Sequence, residues 1–273
     1  MRHILVSVDG SEWSQVAARH ALDWARAEQS PVVSLAVIPR RVMVALGESP
    51  DTLAYSSKVP EAEQFARRAV NDWFASTEGL CEQAGLCFTR GIDVGEPAER
   101  LLWNAMTARL CVMGAHGANA PTPVRTGLGR TTAALLRGCV KPLLITRETY
   151  KPIHKVIVGW DGHPDAAHAA EMIFGPAQQG NWQVYVVSGA ETTSPLAQSC
   201  TYLAEAMARE GVDAQAFIEP GNAPDIIFRA MEKFDADLVA IGGRQKSTTH
   251  RLMRGGAWWD LVEQLPVPVL LYR

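Results

Sequence analysis

No aspartate or glutamate occurs between Arg100 and Arg147, a window of 48 residues in a chain of 273 residues with a formal net charge of -3. Seven lysines and arginines lie in the same window, which predicts a local positive field suited to a polyphosphate. The chain as a whole is slightly acidic, which argues against a protein that binds nucleic acid through backbone charge. The basic residues of the window are Arg100, Arg109, Arg125, Arg130, Arg137, Lys141 and Arg147.

Paired cysteines, long apolar runs and common catalytic motifs are also missing. The five cysteines include no Cys-x-x-Cys pair, which favours reduced thiols and offers no zinc spacing. No run of 18 apolar residues occurs, and the first residues lead straight into a strand pattern, so we expect a cytoplasmic protein without a signal peptide or membrane partner. The sequence contains neither a P-loop nor a Gly-x-Ser-x-Gly motif.

One glycine-rich stretch has the pattern of an anion site. The apolar run 110–113 predicts a buried strand that stops at Gly114, and Gly117 follows. A second glycine pair then precedes a helical pattern that becomes clear from Ala133. Glycines let the backbone approach an anion closely, and the amides and dipole of a helix N-terminus favour negative charge. In the alternative interpretation, the glycines turn the chain and the basic residues form a solvated face.

The alternation of strands and helices occurs twice along the chain. Gly95 and Gly221 introduce corresponding turns and are 126 residues apart, whereas the strand-end residues Asp9 and Asp161 are 152 apart. The larger separation indicates an excursion in the first copy, mainly at residues 40–61. A β-α-β-α-β-α-β-α-β order predicts a parallel sheet covered on both faces. The repeat therefore predicts two tandem domains.

We place these α/β domains at residues 1–148 and 152–273. Ligands of open parallel sheets bind at the carboxyl ends of strands where the strand order reverses, so Asp9 would face Gly114 if their strands are neighbours. Asp9 could then accept hydrogen bonds from a ribose hydroxyl or an adenine edge. The alternative role is a helix N-cap, because Asp-Gly-Ser precedes a helix.

Apolar periodicity predicts helices over residues 12–28, about 61–84 and 98–107. Tryptophans on these helices are expected to pack against the sheet, since a large aromatic side chain buries the most surface there. These tryptophans are Trp13, Trp24, Trp73 and Trp103.

The combined motifs resemble the universal stress protein family, which has a strand-1 Asp-Gly-Ser, a Gly-x-Pro turn, a Gly-x-x-Gly loop and a closing Pro-Val-Leu strand. The resemblance covers both halves. It implies two doubly wound domains, each with a five-stranded parallel sheet of order 3-2-1-4-5 and helices on both faces, paired through their last strands. It also implies a cytosolic regulatory or protective stress-response protein, not an enzyme, that binds ATP or AMP, with or without Mg²⁺, in its first domain. A homodimer is a further expectation.

By this resemblance, the strand-1 aspartate and a strand-2 valine contact the base, and the loop holds ribose and phosphates. The spacing is unusual, because eleven residues separate Gly117 from Gly129, whereas Gly127 lies at the family's nine-residue spacing. Arg130 replaces the family serine and could hold a phosphate or fill the site itself. No metal site is expected. The expected cofactor-binding residues are Asp9, Val37, Met113, Gly114, His116, Gly117, Gly127, Gly129, Arg130 and Thr131.

The second copy departs further from the family pattern. Gln245 stands where the second glycine belongs, and a side chain there would restrict a loop expected to need glycine-only angles. We therefore expect weak or no nucleotide binding in this copy. Two other functions stay open: a slow ATP hydrolase or adenylyl-transfer enzyme with Asp9 as its candidate base, and a scaffold in which Arg130 and Trp258 fill the two clefts.

Overall fold

The computed structural model describes residues 3–39, 68, 70–118, 127–243 and 256–273. These residues form two compact units. The first takes 3–39, 68, 70–118 and 128–139, and the second takes 127, 140–243 and 256–273. The predicted excursion at 40–61, the start of the helix predicted from residue 61, and most of both glycine loops lie outside the described residues.

The described part of the first unit contains four strands and four helices. They are β1 (Ile4–Val8), α1 (Glu12–Glu28), β2 (Val32–Pro39), α2 (Asn71–Gln83), β3 (Phe88–Gly95), α3 (Pro97–Ala105), β4 (Leu110–Gly114) and α4 (Arg130–Gly138). The strands lie in the order β3-β2-β1-β4, and the pairs of neighbours are parallel. β1 and β4 are buried almost throughout, as expected of central strands covered on both faces.

The second unit contains six strands and four helices within the described ranges. They are β5 (Leu143–Thr146), β6 (Lys155–Gly159), α5 (Pro164–Gly180), β7 (Gln183–Gly189), α6 (Pro195–Arg209), β8 (Asp213–Glu219), α7 (Ala223–Phe234), β9 (Leu238–Gly242), α8 (Gly256–Gln264) and β10 (Val269–Tyr272). The order is β5-β10-β9-β6-β7-β8, with β5 antiparallel to β10 and the other neighbours parallel. The predicted order 3-2-1-4-5 is confirmed in the second copy and, for four strands, in the first.

Helices cover both faces of the first unit's sheet. α1 contacts α2, and both connect strands added in the direction of β3. α3 contacts α4, and these helices follow β3 and β4, where strand addition turns back. Right-handed crossovers place connections made in opposite directions on opposite faces. The fold is the predicted doubly wound α/β fold, and its strand order reverses between β1 and β4.

Local sequence sets the limits of α1. Ser11 is the N-cap, and its Oγ accepts a hydrogen bond from the Ser14 N–H at 3.2 Å, a contact that contributes about 1 kcal/mol. Gln29 ends the helix in the left-handed region, with φ of 51°. Alanines such as Ala17 and Ala21 are fully buried on the face toward the sheet. The observed helix has the predicted limits, 12–28.

Two features of the other helices differ from expectation. α4 begins at Arg130 because the extended Gly129 serves as its N-cap, so the helix follows the loop directly. The predicted packing role of Trp103 is wrong, since this side chain is 55% exposed. The Arg100 guanidinium lies over its ring, 4.7 Å from the centroid, and such a cation–π contact suits an exposed indole.

The cysteine side chains are reduced, as the sequence predicts, and four of them are buried. All five cysteines lie in described segments and form no disulfide; Cys87 is exposed and the other four are buried. Burial raises the pKa of Cys200 to about 12. In the ranges that the structure describes, no helix has both the length and the apolar character needed to span a membrane.

Candidate functional site

Asp9 lies at the carboxyl end of β1, half-buried, and both of its carboxylate oxygens accept hydrogen bonds. Oδ1 accepts from the Ser11 N–H at 3.1 Å and from the Ser11 hydroxyl at 2.5 Å. Oδ2 accepts from the Ala118 N–H at 2.8 Å. The carboxylate therefore joins the start of α1 to the loop after β4. Ser11, not Asp9, is the N-cap of α1, and Asp9 orients the Ser11 side chain.

Gly114 and Gly117 are required for space and not for backbone angles. A Cβ built at Gly117 would overlap Asp9 Oδ2, so the carboxylate lies directly against this glycine. A Cβ at Gly114 would lie 2.8 Å from both Trp13 Cβ and the His116 carbonyl oxygen. Neither residue has a positive φ, whereas Gly127 does, at 121°. The expectation that glycine-only angles shape this part of the loop is therefore wrong for Gly114 and Gly117.

The amino end of α4 is held against the end of β4. The Gly129 N–H donates to the Ala115 carbonyl at 2.8 Å, and the buried Thr132 hydroxyl donates to the Gly114 carbonyl at 2.9 Å. The N–H groups of residues 130–132 have no acceptor within the helix, by the geometry of a helix start. No acidic residue occupies the first turn, and the Arg130 side chain is exposed. These features suit an anion.

The other predicted site residues take different positions around this point. Met113 is buried in β4, and the half-buried His116 ring contacts the Trp13 ring at 5.0 Å between centroids. Val37 follows Ala36, the partner of Val8, so it lies level with Asp9 at the same edge of the sheet. The half-buried Thr131 lies in the first turn of α4. Gly127 groups with the second unit, and its role in the site stays a prediction.

The acid-free window does not become one basic surface. The Arg109 guanidinium forms a bidentate pair with Glu28, with N···O distances of 2.5 and 2.8 Å, at the amino end of β4. Arg147 lies in the second unit and donates to the carbonyls of Val262, at 2.6 Å, and Val267, at 3.1 Å. Burial lowers the pKa of Arg147 to about 10. Of the window's described basic residues, Arg130 is the one at the glycine loop; Arg125 is not described.

Two buried titratable groups lie apart from the loop. His20, on α1, is 1% exposed, and burial lowers its pKa to about 4. Asp237 precedes β9, and its side chain is 4% exposed. Burial alone would raise the pKa of Asp237, but hydrogen bonds from Lys151 and from the His154 and Lys155 amides outweigh it, so the pKa is lowered. Neither group contacts the glycine loop in the described segments.

The corresponding residues of the second copy are arranged differently. Asp161, at the end of β6, is exposed and accepts a hydrogen bond from the His163 N–H at 3.0 Å. Gly242 keeps the packing role of Gly114, since a Cβ there would lie 2.6 Å from the Ala166 nitrogen. Gln245 and the rest of the second loop lie outside the described residues. Trp258 is buried and contacts the Trp259 ring.

Sequence reasoning missed three contacts of the site. The Ala118 N–H donates to Asp9 Oδ2, and the Thr132 hydroxyl donates to the Gly114 carbonyl oxygen. Nothing in the types of these two residues indicates these roles. Trp73 lies over Gly10, whose absent Cβ would be 2.5 Å from the indole nitrogen. Gly10 has φ of 77°, which an Asp-Gly turn could have indicated. A cleft of about 100 Å³ lies beside them, between α1 and α2.

Among the described residues, no group of three or more His, Cys, Asp or Glu side chains is placed to hold a metal ion. The site is therefore defined by backbone amides, three glycines, one carboxylate and one exposed guanidinium.

The fold and the repeated strand-end aspartate define a tandem doubly wound α/β protein. A model of the Universal stress protein family matches residues 1–147 and again residues 152–273. The chain belongs to this family and carries two of its domains in tandem. A universal stress protein from Synechocystis is 24% identical over 148 residues, which are 54% of this chain and 52% of that protein. The chain thus spans about half the length of this curated relative.

Solved structures show the same fold. The crystal structure of a universal stress protein from Archaeoglobus fulgidus DSM 4304 has a TM-score of 0.77 and 18% identity, covering 99% of this chain and 98% of that one. A functionally unknown protein from Pseudomonas aeruginosa PAO1 has a TM-score of 0.66 and 17% identity, covering 100% of this chain and 92% of that one. Identities this low establish the fold and nothing about ligands.

Proposed function

We propose that the first unit binds an adenine nucleotide, ATP or AMP, with its phosphates at the amino end of α4. The protein then serves as a cytosolic regulatory or protective factor in a stress response. The observation that carries this proposal is that the end of β1, the glycine loop and the start of α4 meet where the strand order reverses. Backbone amides and Arg130 favour phosphate there, while Val37 lies at the end of β2, where a base could approach.

The residues present suit a phosphate group. Gly129 caps α4 without a side chain, so no capping side chain competes with a phosphate for the first-turn amides. Arg130 is exposed, so its guanidinium does not occupy the cleft as the scaffold hypothesis required. Asp9 has both oxygens in hydrogen bonds, so the proposal assigns it neither a Mg²⁺ ion nor the role of base that an ATP hydrolase would need.

We extend the proposal to the organisation of the chain. The two copies occupy residues 1–148 and 152–273, and the antiparallel pairing of β5 with β10, in which Leu144 lies opposite Leu270, joins them. The second copy binds nucleotide weakly or not at all. Neither a membrane nor a nucleic acid is part of the proposal, and a homodimer of whole chains is compatible with it.

Thermal unfolding with and without ATP or AMP tests the proposed ligand. A nucleotide at 100 times its Kd should raise the free energy of unfolding by roughly 2.7 kcal/mol, because it binds the folded state only. Arg130→Glu places a negative charge at the phosphate position and should abolish this stabilisation. Arg137→Gln, in the last turn of α4, is the matched control and should leave the stabilisation unchanged. Failure of both nucleotides to stabilise the protein at millimolar concentration would refute the proposal.

A further inference from the structure

We infer that Asp9 positions the glycine loop, and that Gly117 is glycine because the Asp9 carboxylate occupies the place of a side chain. We call the Asp9–Ala118 hydrogen bond, with Gly117 beneath it, the loop latch. The ligand part of this inference rests on the proposed function. The latch itself does not, since it consists of contacts within the chain.

The Asp9 carboxylate is held by Ser11 as well as by its contact with the loop. Its Oδ1 accepts two hydrogen bonds from Ser11, and the Ser11 Oγ in turn accepts from the Ser14 N–H. This chain of contacts ties the carboxylate to the start of α1 and directs Oδ2 at the Ala118 N–H, 2.8 Å away. Three of the roughly four acceptor sites of the carboxylate are therefore used within the chain, one of them on Oδ2.

Among the described residues, Asp9 is the one that leaves no room for a side chain at residue 117. Within 4 Å of the position of a Gly117 Cβ, the structure places two atoms, Asp9 Oδ2 and Asp9 Cγ, the latter at 3.5 Å. The φ of Gly117 is not in the left-handed region, so the backbone itself would accept a side chain. The identity of residue 117 is therefore coupled to the presence of a carboxylate at residue 9.

The latch fixes the first turn of the loop, and separate contacts fix its end. The Gly129 N–H and the Thr132 hydroxyl hold the start of α4 to the carbonyls of Ala115 and Gly114. Holding the two ends of a loop lowers the conformational entropy cost of binding a ligand to it. The described contacts at residues 118 and 129 hold these ends.

The same logic applies to the second copy. The residue that corresponds to Gly117 in sequence is Gln245, which is not a glycine and lies outside the described residues. Asp161 instead accepts a hydrogen bond from the His163 N–H within its own turn. Asp161→Asn is thus a matched control for Asp9→Asn, with the same substitution at the same place in the fold.

A double-mutant cycle with hydrogen exchange at the Ala118 amide tests the latch in the full chain. Asp9→Asn keeps an acceptor for Ser11 but removes the Ala118 acceptor, and should speed Ala118 exchange roughly tenfold relative to the amides of β1. Gly117→Ala should do the same in the wild-type background. In the Asp9→Ala background it should have no further effect, because the colliding oxygen is gone. Asp161→Asn should leave Ala118 exchange unchanged. Additive effects, or an unchanged Ala118 rate in Asp9→Asn, would overturn the latch.

Titration with AMP separates positioning from direct contact. Positioning predicts that Gly117→Ala, which retains the carboxylate, weakens AMP binding about as much as Asp9→Asn, roughly tenfold. A loss of AMP affinity in Asp9→Asn with full affinity in Gly117→Ala would contradict positioning. If the wild-type protein binds no AMP, the proposed function fails, while the exchange experiment still decides whether the latch exists.

Discussion

The strand-end aspartates Asp9 and Asp161 occupy the same place in two copies of one fold but make different contacts. Asp9 is half-buried and reaches a backbone amide 109 residues away, at Ala118. Asp161 is exposed and accepts from the His163 N–H, two residues along. The comparison teaches that an Asp-Gly motif can shape the turn before a helix even where, among the described residues, no long-range hydrogen bond of the aspartate accompanies it.

The glycines of the two loops support the same distinction. Gly114 and Gly242 are both retained, and both allow the strand end to pack against the start of the first helix of the same copy, at Trp13 and Ala166 respectively. Gly117 makes room for the Asp9 carboxylate, and its counterpart is Gln245. The first loop glycine, Gly114 or Gly242, is therefore needed for packing in both copies. The second, Gly117, is needed for the latch in the first copy.

The largest difference between the copies should appear at the residue before the fourth strand, which is Arg109 in the first copy and Asp237 in the second. Asp237→Ala removes the acceptor of the His154 and Lys155 amides and the partner of Lys151, whose Nζ lies 2.7 Å from Oδ1. We expect a loss of about 3 to 4 kcal/mol in the free energy of unfolding.

Arg109→Ala is the corresponding change in the first copy and should lose only about 1 kcal/mol, because its side chain is 38% exposed and water can replace part of the pair. Urea denaturation of both variants measures the difference. Equal losses of unfolding free energy in the two variants would contradict this difference, because the two positions would then contribute equally to stability.

Acid should destabilise the first copy through a residue that the second copy lacks. His20 on α1 corresponds to Met172 on α5, and both are buried. The folded state holds His20 neutral, with its pKa lowered to about 4, whereas the unfolded chain protonates it near 6.5. The stabilisation is therefore complete above pH 6.5 and is lost as the pH falls toward 4, by up to about 3 kcal/mol.

His20→Met copies the second domain's residue and should remove this pH dependence. Denaturation at pH 7 and at pH 4.5 measures it. Asp237, with its lowered pKa, acts only at lower pH, since its contribution is lost as the pH falls below 3.8. A His20→Met variant as sensitive to acid between pH 6.5 and 4 as the wild type would disprove the assignment.

A smaller effect on the free energy of unfolding, equal in the two copies, is expected at Gly114 and Gly242, the first glycine of each loop. Gly114→Ala and Gly242→Ala each force a methyl group against a helix start, within 2.6 to 2.8 Å of its atoms. Overpacking of this kind should lower the free energy of unfolding by about 2 kcal/mol in either copy.

Gly79→Ala is the control for these variants, because nothing lies within 4 Å of its Cβ position in α2. It should be neutral or stabilise the protein by up to about 1 kcal/mol. Thermal unfolding of the three variants checks the expectation, and a harmless Gly242→Ala would mean that the shared packing role is wrong.

Much of the fold was predictable because its signals are local and repeated. The apolar and alanine spacing predicted the limits of α1, and turns 126 residues apart reveal the duplication. The family resemblance supplied the strand order. The approach of Asp9 to the glycine loop followed from the order and from the position of both residues at strand ends.

Other features could not be predicted because they depend on three-dimensional contacts. The acid-free window suggested one basic surface, yet Arg109 and Arg147 turn to partners at other places in the fold. The requirement for Gly117 arises from a carboxylate that is distant in sequence, so the residue alone suggests backbone flexibility. Trp103 lies on a predicted helix, but periodicity over nine residues did not reveal that its face is exposed.

The number of ATP molecules bound per chain tests the difference between the copies most directly. Calorimetric titration of the full chain should give one site, which Arg130→Glu removes and Asp161→Asn leaves unchanged. Two equivalent sites would contradict the account, since the second copy would then bind with Gln245 in place of the second glycine. No site at all would contradict the proposal that the first copy holds a nucleotide.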